Sequence, residues 1–278
     1  QKENDFIDFK REPLIPYKCS RKGPYYAKTD VNGDKLEDLF IGGAAGAEGK
    51  LMLQNANGSF TEKKQAVFTA AKNLEDMSAL FFDADGDKDM DLFVVSGGAE
   101  FSPGNTLYQD RLYKNDGNGN FTIAANALPA EGFNGSSVTA MDYDGDGDQD
   151  LFVGGHVVPG RFPKADRSML LQNNKGVFTD VTSQDAKALL NAGIINQAVW
   201  ADVDGDGKNE LSVCGEWMPL EIYSYLDGQF VKKQHSVHII LPSQKDTLIS
   251  MDALTGWWYN MKAEDLNNDG RMDFVMGN

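Results

Sequence analysis

Apolar residues in this chain come in short runs, and the same run recurs after the same polar prelude. Leu39-Phe40, Leu92-Phe93, Leu151-Phe152, Leu211 and Phe274-Val275 each follow a stretch dense in aspartate and glycine. A short apolar run closed by glycines, such as Leu151 to Gly155, reads as a buried strand. Another short strand precedes each acidic stretch, at Tyr25, Ala79, Val138, Ala198 and Trp258 onward. Further along each unit, Leu51–Phe60, Leu112–Phe121, Leu170–Phe178 and Ile222–Phe230 read as strand, Asn/Asp-Gly turn, strand, which predicts hairpins. The one stretch with helical character is Ser183 to Ala192.

The acidic stretches begin at Asp30, Asp83, Asp142, Asp202 and Asp265, so the spacings are 53, 59, 60 and 63 residues. A period of this size marks a propeller, solenoid or array. Four short antiparallel strands per period make a propeller blade, and the period-2 patterning excludes a helical solenoid. The predicted fold is therefore an all-β propeller of four-stranded antiparallel blades, with the acidic loop between strands 1 and 2. Its repeats cover about residues 23–62, 77–123, 135–182, 195–233 and 256–278 of one domain spanning 1–278, the last repeat being incomplete. Asp5 to Phe9 resembles the outer strand Val177 to Val181, which predicts an N-terminal outer strand. With the last repeat unfinished, the pattern predicts part of a longer propeller, whose open blade edge invites association with another chain.

The acidic loops carry chemistry. In Asp142 to Asp150, aspartates stand at positions 1, 3, 5, 7 and 9. Carboxylates this dense repel one another unless a cation sits among them, and hard oxygen ligands suit Ca2+. The start resembles an EF-hand, but the acid that ends that motif is replaced by Val153, so this loop joins two strands. Every loop keeps an oxygen side chain at positions 1, 3, 5 and 9: Asp30, Asn32, Asp34 and Asp38; Asp83, Asp85, Asp87 and Asp91; Asp142, Asp144, Asp146 and Asp150; Asp202, Asp204, Asp206 and Glu210; Asp265, Asn267, Asp269 and Asp273. Position 7 would add a backbone carbonyl, from Leu36, Asp89, Asp148, Lys208 and Arg271. Up to five Ca2+ are expected.

The net charge of −16 changes meaning in this light. The loop ligands account for 18 of the 42 acidic residues, and five Ca2+ would leave −6. A basic surface for nucleic acid is absent. The two cysteines, Cys19 and Cys214, are expected as separate small apolar packers. No apolar run reaches transmembrane length. Loops that need Ca2+ point outside the cytosol, where the free ion is about millimolar.

The loops followed by L-F-V-G-G, with the hairpin L-x-x-N-x-x-G-x-F, resemble the FG-GAP/VCBS repeats of integrin α-subunit propellers and bacterial surface proteins. Phe9 to Pro16, Pro159 to Pro163, Phe178 to Thr182, Gly215 to Pro219 and Gly256 to Trp258 are similar to the large VCBS-repeat proteins of Bacteroidetes related to the ASPIC/UnbV group. The resemblance implies a propeller of about seven blades, Ca2+ in the loops, a secreted, periplasmic or outer-surface bacterial location, and binding or adhesion.

No catalytic motif stands out. There is no G-x-S-x-G elbow, no H-E-x-x-H and no phosphate loop. His156, His235 and His238 read as structural or surface residues, and no catalytic residue is assigned. Trp217, Trp257 and Trp258 could stack on sugars, but core packing is the first reading, with one of the adjacent pair in the core. The variable loops opposite the calcium loops are expected to carry a ligand, a glycan or a protein, through Phe101, Tyr108, His156, Arg161 and Phe162. Two classes remain: a non-catalytic binding module, and an accessory or catalytic domain of a secreted polysaccharide-degrading enzyme.

Overall fold

The computed structural model describes residues 4–240 and 246–278. The first blade is β1 (Tyr26–Thr29), β2 (Asp38–Ile41), β3 (Lys50–Gln54) and β4 (Phe60–Lys63). The second is β5 (Asp76–Phe82), β6 (Asp91–Ser96), β7 (Arg111–Asn115) and β8 (Phe121–Ile123). The third is β9 (Gly135–Met141), β10 (Asp150–Gly155), β11 (Met169–Asn174) and β12 (Val177–Asp180). The fourth is β13 (Ile194–Ala201), β14 (Glu210–Met218), β15 (Glu221–Leu226) and β16 (Gln229–Lys233). Each is an antiparallel meander in chain order. A hairpin follows, β17 (Ser236–Ile240) with β18 (Asp246–Ser250). The short β19 (Gly256–Trp257) then adds to the far end of β14. Last come β20 (Asn260–Glu264) and β21 (Asp273–Gly277), the first two strands of a fifth unit; among the described residues β21 pairs only with β20.

The first strands β1, β5, β9, β13 and β20 stand next to one another in that order, so the blades radiate from a shared axis. This explains why the second strands read as continuous apolar runs. Leu92 and Val94 of β6 pack with Phe40 and Leu51 of the blade before, while Phe93 and Val95 pack with Leu151 and Val153 of the blade after. Phe152 turns the other way, onto Leu211 and Val213. Both faces of the second, third and fourth blades are buried against neighbours, and alternate residues serve opposite interfaces. Cys19 and Cys214 are free and buried in different clusters, as separate packers.

The N-terminal segment departs from expectation. Asp5 to Phe9 is not an outer strand: it leads into the single-turn helix α1 (Asp8–Arg11). The cause is Asp8, which is buried and accepts from the Ser20 backbone N–H and hydroxyl at 2.9 and 2.6 Å, so its carboxylate is consumed locally. Ile7 and Phe9, the residues that would face a sheet, are exposed. The segment crosses the ends of the blades instead. Asn4 reaches the Ala45 carbonyl, Arg11 the Ala99 carbonyl, Glu12 accepts from the Gly160 N–H, and Tyr17 donates to Glu216. Two more short helices lie in connections: α2 (Ala66–Ala70), which brings Phe68 into the core, and α3 (Thr182–Asp185), much shorter than the Ser183–Ala192 pattern suggests.

A pair of acids lies beneath the second blade. The Asp110 N–H donates to Glu131 Oε1 at 2.7 Å, and Asp110 Oδ2 and Glu131 Oε2 are buried without a partner. Burial pushes the Glu131 carboxyl up to about 7, with backbone N–H donors opposing. Asp110 is raised by burial and by Glu131. A raised carboxyl stabilises the fold fully below its unfolded pKa, and that contribution is lost as pH rises through the folded value. Glu131→Gln keeps the acceptor and supplies a permanent N–H donor for Asp110. The variant is therefore expected to melt higher than the parent at pH 8, by about 1–2 kcal/mol, and nearly level with it at pH 5. Melting curves at the two pH values check this; a gap that does not change with pH counts against a raised Glu131 carboxyl.

Candidate functional site

The five acidic loops have one construction. The position-1 aspartate accepts from backbone N–H groups further along its own loop: Asp30 from Gly33 and Lys35, Asp83 from Gly86 and Lys88, Asp142 from Gly145 and Gly147, Asp202 from Gly205 and Gly207, Asp265 from Asp269 and Gly270. Position 5 accepts the N–H of position 7 in every loop, so Leu36, Asp89, Asp148, Lys208 and Arg271 are each fixed by their backbone. Positions 4 and 6 have positive φ throughout, filled by Gly33 and Lys35, Gly86 and Lys88, Gly145 and Gly147, Gly205 and Gly207, Asn268 and Gly270. Two left-handed residues so close together fold alternate side chains onto one centre.

Carboxylate oxygens of Asp83, Asp85 and Asp91, of Asp142, Asp144 and Asp146, and of Asp202, Asp204 and Asp206 lie within 4.8 Å of one another. The first and last loops carry Asn32 and Asn267 at position 3, each holding its amide against the position-5 aspartate at 3.2 Å. The donors are hard oxygens, and they fit a calcium ion. The loops differ in how far their charge is already compensated. Lys114 donates to Asp85 at 2.7 Å, whereas Asp144 meets neutral donors, the Gln172 amide at 2.7 Å and the Asp146 N–H at 3.2 Å. Lys114 holds the Asp85 carboxyl below the usual range.

Position 9 does more than complete a ligand set. Asp91 accepts from Ala84 N–H in its loop and from Asn115 N–H on the third strand, at 3.2 and 2.8 Å. Asp38 joins Val31 to Gln54, and Asp150 joins Tyr143 to Asn173, in the same way. Glu210, one methylene longer, reaches Val203 N–H and the Ser224 hydroxyl. All four are buried. Burial, with neighbouring loop aspartates, pushes Asp91 up to about 6 and Asp150 up to about 7 against the N–H bonds that oppose it.

In the second and third blades the asparagine at the end of the third strand ties blades together. Asn115 Nδ2 donates to the Val31 carbonyl in the preceding blade's loop at 2.9 Å, and Asn173 Nδ2 to the Ala84 carbonyl at 2.8 Å. In the fourth blade Tyr225 holds this register position and packs edge-on against Tyr143 of the preceding loop, ring centres 4.8 Å apart. The recurring L-x-x-N was the signal for this tie, though it reads equally as turn chemistry. Acidic loops and third-to-fourth-strand turns therefore share one end of the blades.

The opposite end is built differently from expectation. Tyr108 and His156 are fully buried and present nothing to solvent. Tyr108 is edge-on to Phe101 and its hydroxyl donates to the Phe101 carbonyl at 2.9 Å, so these two rings brace their own loop. Phe162 packs edge-on against Tyr17 of the N-terminal segment, while Arg161 is exposed. The N-terminal segment lies where a ligand was expected, which is why these residues face protein. His235 is half-buried just before β17; the His238 side chain lies outside the described residues.

Two features here were not foreseen. Trp217 is 59% exposed and has φ +60 at a bulge between Glu216 and Met218, edge-on to Trp257 at 4.9 Å. Trp258 faces the other way, among Cys214, Ile222 and Met251. The second feature is a cavity of about 650 Å³ on the axis. The inner strands contribute Tyr25, Met77, Ser136, Gln197 and Asn260 from their beginnings, and the N-terminal segment contributes Tyr17, Lys18, Arg21 and Lys22.

Blades radiating from one axis, with a stapled acidic loop at the same place in each, define a β-propeller built of loop-bearing repeats. The FG-GAP-like repeat model matches residues 30–94, 97–153 and 202–276, and the chain belongs to this family. Among solved structures it is similar to a lectin from Agrocybe aegerita, described as recognising non-reducing terminal N-acetylglucosamine. The two share 17% identity at a TM-score of 0.54, over 91% of this chain and 61% of the lectin. This chain thus spans less than two thirds of the lectin's length. No curated protein matches it by sequence.

Proposed function

We propose that this chain is a calcium-stiffened, non-catalytic binding module that works outside the cytoplasm, taking a glycan or a protein on the end opposite its acidic loops. The observation that carries the reading is Trp217. A non-glycine residue in the left-handed region costs on the order of 1–2 kcal/mol, and an exposed indole recovers little of that through burial. Such strain persists where a side chain must be aimed, and a flat exposed ring braced edge-on by a second tryptophan suits a sugar face or an apolar protein side chain. The likeness to a sugar-recognising lectin supports the glycan form of the reading. The acidic residues concentrated at the far end are engaged in loop and blade hydrogen bonds, which favours binding over hydrolysis as its task.

Trp217→Gly tests this directly. Glycine accepts φ +60 without strain, so the melting temperature is expected to hold or rise, while binding to ligands found on a glycan array or in a protein-capture screen falls at least about tenfold. Retained binding with an unchanged melting temperature would overturn the assignment to this face. Incubating the protein with each glycan it binds and looking for cleavage products separates a module from an enzyme: turnover would favour the secreted polysaccharide-degrading reading.

A further inference from the structure

The axial cavity has a composition that the rest of the molecule does not. The chain carries a net charge of −16, yet the cavity wall holds Lys18, Arg21 and Lys22 and no carboxylate. Lys18 and Arg21 are exposed at its edge and make no ion pair or side-chain hydrogen bond with the described residues. Lys22 is committed. Its ammonium lies 3.4 Å from Glu216 Oε1, 2.9 Å from His156 Nε2 and 4.2 Å from the Tyr17 ring centre. Glu216 also accepts from the Tyr17 hydroxyl, so these groups brace the N-terminal segment against the fourth blade.

This arrangement fixes the state of His156. An ammonium can only donate, so Nε2 is the acceptor and Nδ1 carries the ring proton. Burial, with Lys22 beside it, holds the imidazole neutral. His156 is completely buried behind the cavity wall, where it holds Lys22 in place. The amides of Asn196, Gln197 and Asn260 add neutral hydrogen-bonding capacity to the same wall. An aromatic path leads out of it: Tyr17 and Tyr259 on the wall lie 6.1 and 6.5 Å from Trp257, and Trp257 carries Trp217 at 4.9 Å.

Resting on the binding-module reading above, we propose that the axial cavity is the binding site of an acidic saccharide, with its anionic group held by Lys18 and Arg21 and the next sugar stacked on Trp217. Two unpaired cations beside a wall without a carboxylate select an anion. The amides on the wall match hydroxyl and ring oxygens. Trp217, one ring removed from the wall, matches a ligand longer than a single sugar. A neutral glycan would leave both cations without use, and an acidic peptide offers little that a row of amides would read.

The test is a glycan array of uronate-, sialate- and sulfate-bearing oligosaccharides beside their neutral counterparts, followed by calorimetry with trigalacturonate and its carboxyl-reduced analogue. Acid-bearing glycans are expected to bind at least about tenfold tighter than their neutral partners, with affinity falling as salt rises. Lys18→Ala with Arg21→Ala, both at exposed side chains, should remove that preference and leave the melting temperature unchanged. Trp217→Gly should weaken trisaccharides but not the corresponding acidic monosaccharide. Neutral glycans that bind equally well, with or without the two cations, overturn the acidic-sugar site while leaving the binding module standing. A blank array overturns the site and the glycan reading together.

Discussion

Removing calcium with EDTA is expected to lower the melting temperature by more than about 10 °C relative to ~1 mM Ca2+. Extracellular oxygen-ligand sites have Kd near ~10⁻⁴ M, so ~1 mM Ca2+ contributes roughly 1.4 kcal/mol per site, and the five loops together about 7 kcal/mol. That is comparable with the whole stability of a domain, about 5–15 kcal/mol, and each kcal/mol moves the midpoint of a chain this size by about 2–4 °C. The loops are pre-folded by their own hydrogen bonds, so the metal relieves repulsion rather than building structure from nothing. The third loop should respond most, since Asp142, Asp144 and Asp146 converge without an ammonium among the described residues, whereas Lys114 already partners Asp85. Scanning calorimetry with and without EDTA decides it. A midpoint that does not move would sink the calcium reading of every loop at once.

Asp150→Ala is expected to cost about 3–5 kcal/mol, and most of that loss should persist in EDTA. The side chain is buried and joins the Tyr143 N–H of the loop to the Asn173 N–H of the third strand. Alanine leaves two backbone donors without their partner, at about 1–3 kcal/mol each. Asp146→Ala is the control. Its carboxylate is exposed and bonds only within the loop, so its cost should be about 1–2 kcal/mol and should vanish when calcium is removed. Denaturant melts of the two variants, each with calcium and with EDTA, separate the roles. If the Asp150→Ala deficit disappears with the metal, position 9 is a ligand and not a staple.

Much of this architecture was legible because it repeats. Five copies of Asp-x-Asx-x-Asp, four of them followed by an apolar pair and one by Leu211 alone, carry register information that one copy does not, so the strand on each side of the loop and the hairpin after it could be placed from residues alone. The parts that occur once were not legible. Asp5 to Phe9 has the alternation of an outer strand, but one buried carboxylate bonding to Ser20 is enough to redirect it. Tyr108 and His156 sit in long variable loops, where exposure is the ordinary expectation; Phe101 braces Tyr108 within its own loop, and an N-terminal segment more than a hundred residues away in sequence covers His156. Trp217 reads as core from its apolar surroundings, and only the bulge where β19 joins β14 turns it outward. The doubled role of position 9 hides in the sequence too, since a ligand and a staple require the same aspartate.

The asparagine tie has a direction. Each blade from the second onward reaches back to the loop of the blade before it, through Asn115, Asn173 and the Tyr225–Tyr143 contact. The same Asn115 and Asn173 are held at their backbone by the position-9 acid of their own blade. Each tie couples two neighbours: a properly formed blade steadies the loop of its predecessor, and an ordered loop steadies the blade that bonds to it. The molecule is a one-dimensional lattice with nearest-neighbour coupling. Metal occupancy would then spread between adjacent blades, so that filling one loop raises the affinity of its neighbours.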